Sequence, residues 1–188
     1  MYLTSFPHVV IFLIFTLIES ASLTDYIFKY GWVKSVGESD YPNNTYLFGN
    51  TSISSIPKPT SILFFAADHD DGSNELLFDH SFADLEKVYF SPNSEKSIRN
   101  ITIDGVPELQ SITFGRYSCC VSTSSRNDGW LTISNSPKLM KIEIHNNALQ
   151  DYSSVVFSNL SSLQTISIGN FAFQQSLSFE LQSMLFFF

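Results

Sequence analysis

The stretch from Leu131 to Phe173, LTISNSPKLMKIEIHNNALQDYSSVVFSNLSSLQTISIGNFAF, states one pattern twice. Leu139, Ile142 and Ile144 return as Leu163, Ile166 and Ile168, Asn135 as Asn159 and Ala148 as Ala172, each 24 residues later. Self-similarity at a fixed period of this size is the mark of a solenoid or a stacked array. A single 24-residue unit is too small to bury its own Leu and Ile side chains, so units must pile on one another to keep those side chains dry.

The pattern extends towards the amino terminus. Leu85, Val88 and Phe90 align with Leu109, Ile112 and Phe114 at the same spacing of 24. The following step, from Leu109 to Leu139, is 30 residues, and its extra positions fall in CCVSTSSRNDGW, a Ser, Asn and Gly-rich run that reads as a loop. Upstream the register weakens. There Ile62 and Phe64 are set against Val88 and Phe90, with Pro59 in the place of Leu, as a degenerate first repeat.

Each unit contains two alternating segments. L-x-x-I-x-I gives one half-buried strand of period two, rich in β-branched residues. The other lies upstream, at Ile101 and Ile103, Leu131 and Ile133, and Val155 and Phe157, with Leu77, Phe179 and Leu181 as its outlying members. Between the two segments sit Asp104-Gly105, Ser134-Asn135 and Ser158-Asn159, turn dipeptides in one fixed slot. Strand, turn, strand is the unit, and helix is expected to be scarce.

The core L-x-x-I-x-I followed closely by Ala-Phe, as in Leu163 to Phe173, resembles the leucine-rich repeats of bacterial surface antigens and related protist surface proteins, over about Leu76 to the end. The resemblance implies a β-rich leucine-rich-repeat solenoid, with short parallel strands stacked in a curved array and little helix. It also implies a secreted or surface-displayed chain that binds or adheres and has no catalytic activity. The Asn that many such repeats carry after the strand is present at Asn93 and Asn147 but is replaced by Tyr117 and Phe171.

The amino terminus supports export. MYLTSFPHVVIFLIFTLIESAS holds an apolar run, Val9 to Ile18, too short to cross a bilayer as a helix and suited to a signal peptide, with Ser20, Ala21 and Ser22 as a processing site. Residues 1–22 are thus expected to be a signal peptide, or an uncleaved anchor, since no Lys or Arg precedes the run. Residues 23–56, aromatic and broken by Gly31, Gly37 and Pro42, are expected to cap an array spanning 57–188. That array is expected to be truncated at SLSFELQSMLFFF, where another repeat is getting under way. Such an open end could also pack back on itself or support self-association. Asn43, Asn50, Asn100 and Asn159 stand in glycosylation triplets.

Several chemistries are disfavoured. A formal charge of −8, with only 10 Lys plus Arg, offers no footprint for nucleic acid. Cys119 and Cys120 are adjacent and are the only two cysteines, so no loop-closing bridge forms within the chain; a strained vicinal disulfide or burial as small hydrophobes is left. The acidic run Asp68 to Glu75 has oxygen ligands suited to calcium, but Ser73 and Asp79 occupy the positions where an EF-hand needs Gly and Glu. It reads better as a solvated loop, and no metal or cofactor is assigned. His8, His69, His80 and His145 are scattered, and no GxSxG, HExxH or phosphate-binding Gly loop is present.

What the repeats do offer is an outward face. Residues between the buried ones fall into columns: Tyr89, Thr113, Glu143 and Ser167; Lys87, Ser111, Lys141 and Thr165; and, flanking them, Ser91, Gly115, His145 and Gly169. Tyr89, Thr113, Glu143, Ser167 and Lys141 are the candidate binding residues for a protein or glycan ligand on the sheet face.

Overall fold

Short apolar alternations bounded by turn residues become strands, and the computed structural model contains eleven of them among the residues it describes, which are 45–48, 56, 58–68, 70, 72–120 and 129–183. In chain order they are β1 (Thr45–Phe48), β2 (Ile62–Phe65), β3 (Glu75–Phe78), β4 (Lys87–Phe90), β5 (Asn100–Asp104) and β6 (Ser111–Phe114). Then follow β7 (Gly129–Ser134), β8 (Lys141–Ile144), β9 (Tyr152–Ser158), β10 (Thr165–Ile168) and β11 (Ser178–Gln182). The described residues contain no helix. The expected leader, most of the expected cap, Asn43, Asn50, the interior of the long loop and the terminal Phe residues lie outside the described residues.

The strands form a β-solenoid of about five turns. Its two walls are a six-stranded sheet in the order β1-β2-β4-β6-β8-β10 and a five-stranded sheet in the order β11-β9-β7-β5-β3. All pairings are parallel. From β2 onward each coil contributes one strand to each wall, which is the strand-turn-strand unit of the repeat. Val88, Ile112, Ile142 and Ile166 are register partners in turn, and so are Phe90, Phe114, Ile144 and Ile168. The register of β6 on β8 survives the 30-residue step: Ser111 pairs with Lys141 and Phe114 with Ile144. β1, from the expected cap region, continues the sheet beyond β2.

Two alignments shift by one residue. Leu63 and Phe65, rather than Ile62 and Phe64, face inward as partners of Val88 and Phe90, and buried Thr60 takes the place expected for Pro59. In β3 the inward residues are Leu76 and Phe78, while Leu77 is exposed. Both strands are apolar at nearly every position, so alternation leaves their phase open, and a slip of one exchanges the two faces.

Side chains of equal size stack inside the coil. The rings of Phe65, Phe90 and Phe114 lie nearly parallel at 4.4 and 4.7 Å, and above them the column passes to Ile144 and then Ile168. Leu85, Leu109 and Leu139 are wholly buried at the corner before their strands. At about 25 cal/mol per Å², each such side chain contributes roughly 1.5–3 kcal/mol, provided that its neighbours are in place. At β7 the register shifts between Gly129 and Trp130, where a Cβ on Gly129 would meet Arg99 O at 2.9 Å. Beside it Tyr152 is fully buried, its hydroxyl donating to Ile98 O at 2.9 Å.

The corners explain how the chain closes each coil. After each strand of the six-stranded sheet from β2 onward, one residue is left-handed: Asp68, Asn93, Tyr117, Asn147 and Phe171, with φ between 56° and 60°. Where both coils are described, its N–H donates to the next coil, as from Asn93 to Arg116 O at 3.0 Å and from Asn147 to Asn170 O at 2.9 Å. A second left-handed residue follows two places on, at Glu95, Cys119, Leu149 and Phe173, all buried. The opposite corner uses Gly105, Asn135, Asn159 and Ser183, in the expected turn slot. Left-handed backbone costs an ordinary residue about 1–2 kcal/mol and suits Gly and Asn best.

The last described coil is less covered. Ile168 is 47% exposed where its partner Ile144 is 2% exposed, and Phe179 and Leu181 on β11 are also exposed.

Candidate binding surface

Strand alternation sends Val88, Ile112 and Ile142 into the core and turns the residues beside them outward. Register pairing brings the predicted columns together: Tyr89, Thr113, Glu143 and Ser167 are successive partners, as are Lys87, Ser111, Lys141 and Thr165. Ser91, Gly115, His145 and Gly169 line up beyond them, each N–H donating to a carbonyl of the preceding coil. Ser167 and Lys141 are exposed, and Tyr89 and Glu143 are half-buried. Thr113, expected to be exposed, is only 2% accessible. It is a short side chain between two longer ones, and its hydroxyl donates to Glu143 Oε2 at 3.4 Å.

Electrostatics knit this face together. Lys141 Nζ lies 2.8 Å from Glu143 Oε1, so the carboxylate is held by an ammonium on one oxygen and a hydroxyl on the other. The pair is solvent-facing and adds little stability, but it fixes where a charge sits on the face. Tyr89 stacks on Phe64 with ring centres 4.8 Å apart. Burial pushes the Tyr89 phenol above its ordinary range; a hydrogen bond with Ser111 opposes this and the nearby Glu143 charge adds to it. At ordinary pH its hydroxyl is therefore a neutral donor and acceptor.

The face dips where the sheet meets its corner. Arg116, Glu143, Ile144, His145, Asn146, Ser167 and Gly169 line an open cavity of about 300 Å³. Glycine shapes it: a Cβ at Gly169 would lie 2.6 Å from Asn146 N and Oδ1. Asn146 Oδ1 accepts from Asn170 N at 2.9 Å, which pins the amide at the rim. Arg116 stands 5.0 Å over the Tyr117 ring, with Nη2 directed to its hydroxyl at 3.5 Å. Sequence columns reach Glu143, His145, Ser167 and Gly169, but Arg116 and Asn146 lie in the corner column one residue further on and carry no motif.

Ser167, His145 and Glu143 share this dip without a hydrogen bond between any two of them, and Glu143 is engaged by Lys141 and Thr113. That is not the linked nucleophile, base and orienting group of a hydrolase. Among the described residues no group of three or more His, Cys, Asp or Glu is placed to hold a metal. In the acidic segment Asp70 accepts from Gly72 N at 3.1 Å and from Ser97 Oγ at 2.8 Å.

The glycosylation triplets fall in unlike places. Asn100 opens β5, half-buried, and its Nδ2 donates to Glu75 Oε1 at 3.3 Å. Asn159 is exposed at a corner, in a ladder where its Nδ2 donates to Asn135 Oδ1 and Asn135 Nδ2 donates to Asp104 Oδ1, both at 2.7 Å. Ser134 Oγ reaches the same Asp104 oxygen at 2.7 Å. These hydrogen bonds, from Ser134 first and then Asn135, hold the Asp104 carboxyl below its ordinary value of 3.8. Cys119 and Cys120 are free thiols, the first buried and the second half-buried. Burial, before any neighbouring charge, raises the pKa of both.

Compared with known proteins, the chain matches no protein-family profile, no curated protein and no solved structure.

Proposed function

We propose that this chain is a leucine-rich-repeat module, secreted or displayed at the cell surface, that recognises or adheres to a protein or glycan through the outer face of its six-stranded sheet. The observation that supports the reading most is the register pairing of Glu143 with Ser167 beside an open dip, with Lys141 ion-paired to Glu143 on the same face. A surface built by repetition offers a row of side chains at a constant spacing of about 4.8 Å, which suits an extended partner. The leucine-rich-repeat assignment is supported by the L-x-x-I-x-I columns, and export by the apolar leader and the Asn-x-Ser/Thr triplets. Such a module carries no catalytic activity of its own.

The test is a charge reversal on the face. Beads coated with the purified chain, and with a Lys141→Glu, Glu143→Lys double variant, are exposed to arrayed extracellular-matrix proteins and cell-surface glycans. Selective retention by the parent and its loss in the variant support the reading; no retention by the parent, or equal retention by both, refutes it.

A second reading rests on the last described coil. Ile168, Phe179 and Leu181 leave apolar surface on the edge strands β10 and β11, where a second copy could add its own strands as a self-associating array. Its test is a gel-filtration mass that rises with concentration and falls in Ile168→Lys.

A further inference from the structure

Asn100 and Asn159 both head glycosylation triplets within the described residues, and the fold treats them differently. Asn100 opens a strand with a neighbour on each side: Glu75 on β3 and Trp130 on β7 are its register partners, about 4.8 Å away. Its Oδ1 is buried with no hydrogen-bond partner among the described residues, and its Nδ2 is turned to Glu75 Oε1 at 3.3 Å. A sugar rooted on that nitrogen would press on the Glu75 carboxylate and crowd the Trp130 ring. Asn159 is exposed at the corner between β9 and β10, and Ser161, which completes its triplet, is exposed too. Its Nδ2 gives one N–H to Asn135 Oδ1 at 2.7 Å. A primary amide has two N–H groups, so a sugar can take the place of the other hydrogen while the ladder from Asp104 through Asn135 to Asn159 keeps its bonds.

The turn accounts for the Asn but not for the triplet. Asn135 and Asn159 share the left-handed backbone of this corner, yet Asn135 is followed by Ser136-Pro137 and heads no acceptor triplet. The position two residues before the corner leucines Leu85, Leu109, Leu139 and Leu163 is held by Ala83, Pro107, Pro137 and Ser161. Ala and Pro close the corner without a hydroxyl, so the fold has no need of one at Ser161.

We infer that Asn159 is an N-glycan acceptor of this chain and that Asn100 stays bare. The inference rests on the export reading above, since the donor, an oligosaccharide carried on a lipid diphosphate, is met in the secretory pathway. In the transfer Asn159 Nδ2 bonds to the anomeric carbon of the sugar, the bond from that carbon to the diphosphate oxygen breaks, and the lipid diphosphate departs. Nδ2 loses one proton to water and keeps the one directed at Asn135. β10 runs from this corner towards the dip, so the glycan is rooted at the far end of the strand from the candidate binding surface.

The test expresses the full chain in cultured eukaryotic cells under its own amino terminus, in parallel with the full chain placed behind a strong cleavable leader. An amidase that releases N-glycans leaves an aspartate wherever a sugar was attached, and peptide mass spectrometry of the chain from cells and medium together reads each position. Conversion is expected at Asn159 and not at Asn100. It should be lost from Asn159 in Ser161→Ala, which removes the triplet and leaves the Asn159 ladder in place. An unconverted Asn159 in the chain behind the leader, or conversion at Asn100, overturns the assignment. If Asn159 is converted behind the leader but the chain under its own amino terminus stays in the cytosol unmodified, the export reading falls and the acceptor geometry stands. If the chain is exported under its own amino terminus with Asn159 bare, export stands and the acceptor falls.

Discussion

Ile144 and Ile168 are the same residue in the same column, hydrogen-bonded neighbours in register, yet one is 2% and the other 47% exposed. Truncating each to Ala therefore measures what a neighbouring coil contributes. Ile144→Ala removes methyl and methylene groups from a site enclosed by Phe114 and Ile168, and such changes cost about 2–5 kcal/mol in transfer and cavity terms. Ile168→Ala starts from a side chain that is already about half wet. The transfer term is then about half of the 1.5–3 kcal/mol for full burial, with no closed cavity, giving about 1 kcal/mol. Urea unfolding followed by circular dichroism reads the difference. With a slope of about 1–3 kcal/mol per molar, Ile144→Ala should lower the midpoint by about 1–2 M and Ile168→Ala by well under 1 M. Ile142→Asp, which places a carboxylate at a wholly buried site between Ile112 and Ile166, should prevent folding altogether. Equal midpoints for the two Ala variants, or a folded Ile142→Asp, would refute the stacked ladder.

Two further outcomes follow from the titrating groups. Asp104 has a lowered pKa in the folded chain, so its stabilisation is complete above the ordinary carboxylate value of 3.8 and is lost as pH falls through the folded value. The stability difference between parent and Asp104→Asn should be constant above about pH 4 and shrink below it; urea midpoints at several pH values check this, and a difference that grows on acidification counts against the ladder at that corner. Cys119 is enclosed and its thiol is pushed well up by burial, while the Cys120 sulfur lies against the Asn147 carbonyl. A thiol reagent at pH 8 should find at most a slow Cys120 in the folded chain and both thiols in urea; rapid reaction of both in the folded chain contradicts the placement.

The repeat itself was legible because Leu, Ile and Val at the buried positions are both the cause of the strand and its signature. Leu139, Ile142 and Ile144 announce their partners 24 residues on, and the turn slot at Asn135 and Asn159 is readable because Asn favours the left-handed backbone found there. Phase was lost in Ile62–Phe65 and Glu75–Phe78, where apolar residues on consecutive positions make the two faces look alike. The burial of Thr113 was hidden because a polar residue gives no sign of being shaded by longer neighbours. Tyr117 and Phe171 were visible as departures from Asn, but their left-handed backbone was not, since aromatic residues carry no preference for it. Arg116 and Asn146 enter the dip only through corner geometry, which strand periodicity does not describe.

The step from Leu109 to Leu139 spans six residues more than its neighbours, yet Ser111 still faces Lys141 and Phe114 still faces Ile144. Hydrogen bonds between coils depend on where each strand lies, not on how many residues separate it from the strand before. In such an architecture the length of one connection can change without disturbing the ladder, because the ladder is fixed strand by strand.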